Sequence, residues 1–176
     1  MNNALRGVRL LGSIVSTLAV LAIAARAERL DAPQWRFNVT FPCQSALGGQ
    51  QVSTAVGTLV ITTFSCDSGN NDYTVAINDF PAGSVKPENL DNVYASSVNG
   101  VATNTKGTIR SVTGYTLGNY TGREALIDIP ESKSVIRTHL FIVGDRMYQV
   151  MFIGAVGTES GKDGLDFLNS FVLLPK

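Results

Sequence analysis

One imidazole, two thiols and a few clusters of hydrogen-bonding side chains are the only reactive groups this 176-residue sequence offers at spacings that suggest chemistry. His139 lies in the run Ser134–Val143, on the same side of an alternating pattern as Val135, Arg137, Phe141 and Val143. A lone His on a strand reads as a hydrogen-bonded structural residue. It lacks a second His or a thiolate at usable spacing, and a zinc site needs three or four such ligands. Hydrolysis by a Ser-His-Asp set would need both partners delivered by the fold, and the G-x-S-x-G elbow is absent. Cys43 and Cys66 lie too far apart for C-x-x-C redox chemistry, and neither has a basic residue close in sequence to lower its pKa.

Other short segments imitate sites. Gly157-Thr158-Glu159-Ser160-Gly161-Lys162 has the look of a phosphate loop, but its glycine spacing is one residue short and Asp163 stands where a hydroxyl would meet Mg²⁺. It reads instead as a loop in which Ser160 caps a final helix and Asp163 sits in its electropositive first turn. Asp67-Ser68-Gly69-Asn70-Asn71-Asp72 is rich in oxygen ligands but lacks the calcium-loop pattern and its distal Glu. Gly122-Arg123-Glu124 carries a guanidinium, and Arg137 and His139 follow on the adjacent predicted strand. Arg123, Arg137 and His139 are therefore the candidate surface-binding residues. If they converge at one end of a sheet, they would take a carboxylate or phosphate through forked hydrogen bonds; the alternative is a set of internal ion pairs.

The elements that would position these groups are legible from periodicity. Gln34–Phe41 alternates, with Trp35, Phe37, Val39 and Phe41 on one side. Pro42 and the Gln44–Gly49 stretch read as a break. Gln50–Ala55 and Thr58–Cys66 then form a hairpin about Val56-Gly57, and Tyr73–Asn78 follows as a short strand. The period changes at Pro87, where Leu90, Tyr94 and Val98 predict an amphipathic helix over 87–103. Strands resume at Thr108–Thr116, Glu124–Ile129, Ser134–Val143 and Met147–Ile153, with Gly144-Asp145-Arg146 as a tight turn between the last two. A second helix is expected over Ser160–Phe171. The reading is α+β: an antiparallel sheet of six to eight strands packed with two main helices, in a single domain over 28–176.

Residues 1–27 are read as a signal peptide. Arg6 and Arg9 precede the uncharged apolar run Leu10–Ala25, and Ala25-Arg26-Ala27 matches a small-x-small cleavage site. The run is short for a transmembrane anchor, so no stable membrane insertion is expected after cleavage. Periplasmic or secreted localisation follows, and in that compartment Cys43 and Cys66 read as a disulfide; the alternative is a pair of buried thiols. Three of the 14 basic residues lie before the cleavage point and all 14 acidic ones after it, so the processed chain is net −3. With 44% hydrophobic and 16% charged residues and no basic excess, disorder and nucleic-acid binding are both excluded.

The order Trp35-x-Phe37-x-Val39-x-Phe41-Pro42, Gly57 between strands, Tyr73-x-Val75 with Asp79-x-Pro81, a helix, Gly122-Arg123-Glu124, Arg146-x-Tyr148-Gln149 and Phe167-Leu168-x-Ser170-Phe171 resembles exported bacterial domains of the PsbP-like α/β/α sandwich type. The resemblance spans Trp35 to Leu174. It implies a module without enzymatic machinery, since the wider fold includes partner-binding proteins such as the extrinsic photosystem protein. The Cys pair and Asn119-Tyr120-Thr121, in place of a Pro before Gly-Arg-Glu, depart from the pattern. The expectation is a non-catalytic module with no cofactor, no metal and no catalytic residue, whose partner is an unknown envelope protein. A small-ligand carrier with a cleft between sheet and helix, lined by Tyr94, Phe141 and Tyr148, is the alternative, and a hydrolase the third.

Overall fold

Alternation along the strands makes one sheet apolar on both faces, and that property dictates the layers. The computed structural model describes residues 27–54 and 57–175; the predicted signal peptide, apart from Ala27, lies outside the described residues. Strands β1 (Glu28–Ala32), β2 (Phe37–Phe41), β3 (Ala46–Thr54), β4 (Gly57–Ser68) and β5 (Asn71–Asp79) precede helix α1 (Leu90–Thr105). After it come β6 (Thr108–Leu117), β7 (Tyr120–Ile129), β8 (Ser134–Val143), β9 (Arg146–Ala155), helix α2 (Lys162–Ser170) and β10 (Val172–Leu173). Seven strands form one antiparallel sheet in the order β3-β4-β5-β9-β8-β7-β6, and β1-β2-β10 form a second, smaller one.

On its first face the large sheet presents Tyr73, Val75, Ile77, Phe141, Tyr148, Val150 and Phe152 to Phe37, Phe41, Phe167, Leu168 and Phe171 of the small sheet and the α2 segment. Phe37 and Phe171 stack at 5.4 Å, and Phe41 meets Phe167 at 5.1 Å. The second face offers Ala125, Ile127, Ile136, Leu140 and Met147 to Tyr94, Val98 and Ala102 of α1. Those three α1 residues are spaced four apart, so they form one stripe. Each large side chain so buried contributes about 1.5–3 kcal/mol.

The Cys43–Cys66 disulfide, with Cα atoms 5.9 Å apart, ties the segment after β2 to β4 and so links the small sheet to the large one. Gly122 is required by packing: a Cβ there would lie 2.2 Å from the Leu140 carbonyl oxygen and 2.7 Å from the Phe141 ring. At the β8–β9 hairpin, Val143 pairs with Arg146 around Gly144, whose φ of +64° suits glycine.

Several expectations need correction. The strand predicted from Gln34 begins only at Phe37, because Pro33 starts a 3₁₀ turn through Trp35 and Arg36 turns left-handed at φ 60°. Arg36 is held there by a bond from its Nη2 to the Leu174 carbonyl at 3.1 Å. The stretch read as a break contains the start of β3: Gly48 and Gly49 lie in the strand opposite Thr63 and Thr62, where a Cβ would crowd Thr63 Oγ1 and the Ile61 carbonyl. β1 and β10 were not anticipated. Ser160 does not cap α2. Gly161 occupies the cap position, and Ser160 Oγ instead accepts a long bond from Arg137 at 3.4 Å.

Candidate functional site

Helix α1 packs against β6 and β7 and overhangs the β4–β5–β9 half of the second face without closing on it. Between that half and the helix runs a cleft of about 510 Å³. Its floor is built by strand register, which aligns Ile61, Asn78 and Met147 in one row and Ala76, Gln149 and Leu140 in the next. Phe80 and Val93 form apolar wall, and Asn92, Ser96 and Asn104 of α1 supply a polar rim. Asn78 is 5% and Gln149 6% exposed, so two carboxamides are set into an apolar floor. Gln149 Nε2 has no hydrogen-bond partner. Burying such a donor unpaired costs about 1–3 kcal/mol.

On the opposite face Glu124 gathers the charges. Its Oε2 accepts from Arg137 Nε at 2.9 Å and lies 2.8 Å from His139 Nε2. Register places Glu124 directly opposite His139. Burial works to raise the Glu124 pKa, but hydrogen bonds from His139 and Arg137 outweigh it and hold the carboxyl below its ordinary range. An ionised Glu124 only accepts, so Nε2 carries the His139 proton. The His139 side chain is 3% exposed, and burial pushes its pKa down despite Glu124. The ring stacks on Tyr115 at 3.9 Å. Arg137 also reaches the Glu159 carbonyl at 3.0 Å.

The three candidate binding residues do not converge. Arg123 sits opposite Leu140, one register step from Glu124, and therefore projects to the α1 face. There it pairs with Asp91 and lies 5.2 Å over the Tyr94 ring. Arg137 and His139 project to the other face. The forked anion site is thereby replaced by two separate internal networks. Asp128 pairs instead with Arg110, which also binds Glu159.

The expected lining of the cleft also changes. Phe141 and Tyr148 belong to the first-face core, and Tyr94 is buried at the β7–β8 side, its hydroxyl donating to the Thr121 carbonyl and accepting from the Ile142 amide, both at 3.1 Å. Asp67 and Asp72 stand opposite each other; burial and the neighbouring Asp67 raise the Asp72 pKa. Among the described residues no group of three or more His, Cys, Asp or Glu side chains is placed to hold a metal ion. None of the described helices is long and apolar enough to cross a membrane.

No family model matches the sequence, and no curated protein does. Structure comparison finds similarity to the solution structure of cyanobacterial PsbP (CyanoP) from Synechocystis sp. PCC 6803. The TM-score is 0.57 at 11% identity, covering 90% of this chain and 98% of that one. The fold is PsbP-like. At that identity the likeness is one of architecture.

Sequence reasoning missed Asn78, Gln149 and the hub role of Glu124. Gln149 had a detectable signal: it is the lone carboxamide in the otherwise apolar run Met147–Ile153, at a position whose strand neighbours face a core. Glu124 had none, because only register reveals that it faces Arg137 and His139 across two strands.

Proposed function

We propose that this protein is an exported, non-catalytic binding module that holds a small ligand in the cleft between α1 and the β4–β5–β9 half of the sheet. The observation that carries the reading is the cleft itself, about 510 Å³ and floored by two buried carboxamides. That size lies within the range of small-molecule pockets, and an apolar site with few convergent polar groups is their usual make-up. The disulfide is compatible with an oxidising compartment. His139, the sole imidazole, is held by Glu124 and stacked on Tyr115, which suits a structural role better than proton transfer.

Docking of another envelope protein is the rival reading. Amide chemical shifts of the labelled protein, titrated with the small-molecule fraction of an envelope extract and then with the protein fraction, separate the two. Shifts confined to α1 and the β4, β5 and β9 residues of the cleft, caused by the small-molecule fraction, are expected. Specific broadening by the protein fraction alone would overturn the ligand reading.

A further inference from the structure

We infer that the cleft selects an uncharged ligand with an apolar body and a carbonyl-type oxygen, which accepts the free Nε2–H of Gln149. The inference rests on the cleft being a ligand site and adds what the ligand must be. Charge is the first constraint. Among the described residues lining the cleft there is no Asp, Glu, Lys, Arg or His. Two charged residues that adjoin the lining in sequence are already engaged, Asp79 by Arg146 and Asp91 by Arg123. An ionic ligand would therefore lose its hydration shell without gaining a counter-charge, a cost that neutral molecules escape.

The second constraint is the orphan donor. Gln149 is nine-tenths buried, flanked in register by Leu140 and Ala76, and lines the cleft; its Nε2 is buried without a partner, so a turn of the carboxamide toward the cleft would give that donor an acceptor on the ligand. Sites that bury an unpaired polar group discriminate strongly for the ligand group that pairs with it. A donor asks for an acceptor, so a carbonyl oxygen of an amide, ester or ketone fits and a hydrocarbon does not. The third constraint is the wall. Phe80, Val93, Leu59 and Met147 give the ligand body apolar contact, while the hydroxyl proton of Ser97 is already donated to the Val93 carbonyl at 2.8 Å.

Gly100 supplies a clean control. It lies on α1 at the cleft, and a Cβ built there meets nothing within 4 Å. Gly100→Phe should fill the cleft without disturbing packing, and replacing a helical glycine does not weaken the helix.

The test is fluorescence titration of the purified, disulfide-bonded protein with Nile red, which is neutral and carries one carbonyl acceptor, and with the anionic dye 8-anilinonaphthalene-1-sulfonate. Saturable 1:1 binding of Nile red is expected, at least roughly tenfold tighter than the anionic dye. Gly100→Phe should weaken it at least tenfold with Tm unchanged or raised. Gln149→Leu should weaken it roughly tenfold, the value of one hydrogen bond, while raising Tm because the unpaired donor is gone. The opposite signs for binding and stability distinguish a ligand contact from a structural role. If Gln149→Leu binds Nile red as well as or better than the parent while Gly100→Phe abolishes binding, the carbonyl assignment falls and the cleft stands. Equal affinity for the anionic dye overturns the charge selection. Absence of binding, or binding indifferent to Gly100→Phe, overturns the cleft reading and the ligand class with it.

Discussion

Glu124→Ala removes the acceptor shared by Arg137 and His139 and should be among the most damaging single changes on the first face of the sheet. Its carboxylate takes bonds at 2.9 and 2.8 Å, from a guanidinium 19% exposed and an imidazole 3% exposed. Breaking a fully buried pair costs about 3–5 kcal/mol; because Glu124 and Arg137 each keep some contact with water, about 2–3 kcal/mol is expected here. Arg137 retains its bond to the Glu159 carbonyl, whereas the buried Nε2–H of His139 is left unpaired. For a chain of this length that loss lowers Tm by about 5–10 °C. Glu124→Gln keeps an acceptor without the charge and should cost about 1 kcal/mol. Urea unfolding followed by far-UV circular dichroism and by Trp35 fluorescence, at unchanged m, measures both. A Glu124→Ala protein within about 0.5 kcal/mol of the parent would refute the placement of a buried charge network at this position.

Acid sensitivity should begin with His139. Its folded pKa is pushed below the ordinary 6.5, so the unfolded chain binds the proton first and stability falls as pH drops below that value. Glu124, held below 4.5, extends the loss at lower pH. Urea midpoints should decline between about pH 7 and 5 in the parent and stay level there in His139→Gln; a level parent profile would contradict the buried, neutral ring. Serine at Cys43 and Cys66 together should cost about 3 kcal/mol in denaturant melts, an effect that reductant reproduces in the parent alone. Gly122→Ala forces a methyl against the Leu140 carbonyl and the Phe141 ring and should destabilise by about 1–3 kcal/mol, read from the urea midpoint; a neutral outcome would mean β7 and β8 are further apart than described.

Much of the framework could be read from periodicity because strands and α1 bury regular stripes. Tyr94 and Val98 mark the helix, and Tyr73, Val75 and Ile77 mark β5, since burial on one face leaves a period of two or near four. Where the chain serves a different constraint, that signal disappears. β3 is an edge strand, so its Gly48 and Gly49 answer to close approach of β4 and imitate a loop. Trp35 continues the alternation of β2 yet leaves the strand, because Pro33 and the left-handed Arg36 govern the local backbone. The site was harder still. Arg123 and Arg137 look like neighbours on paired strands, but Arg137 stands opposite Leu126, an odd three residues from Arg123, which sends the two to opposite faces, and that register is set by the hairpin between β7 and β8. The cleft depends on how far α1 extends across the sheet, a property of packing that no single stretch of sequence encodes.

Native mass spectrometry of the protein isolated without denaturation from its own source tests the central claim most directly. The account predicts a chain lacking its first 27 residues, two mass units lighter than the dithiol for the Cys43–Cys66 bond, and carrying a neutral small-molecule adduct that Gly100→Phe lacks. A chain that retains its first 27 residues, has two alkylatable thiols and no adduct, or one whose only adduct is another protein retained equally by Gly100→Phe, would contradict it.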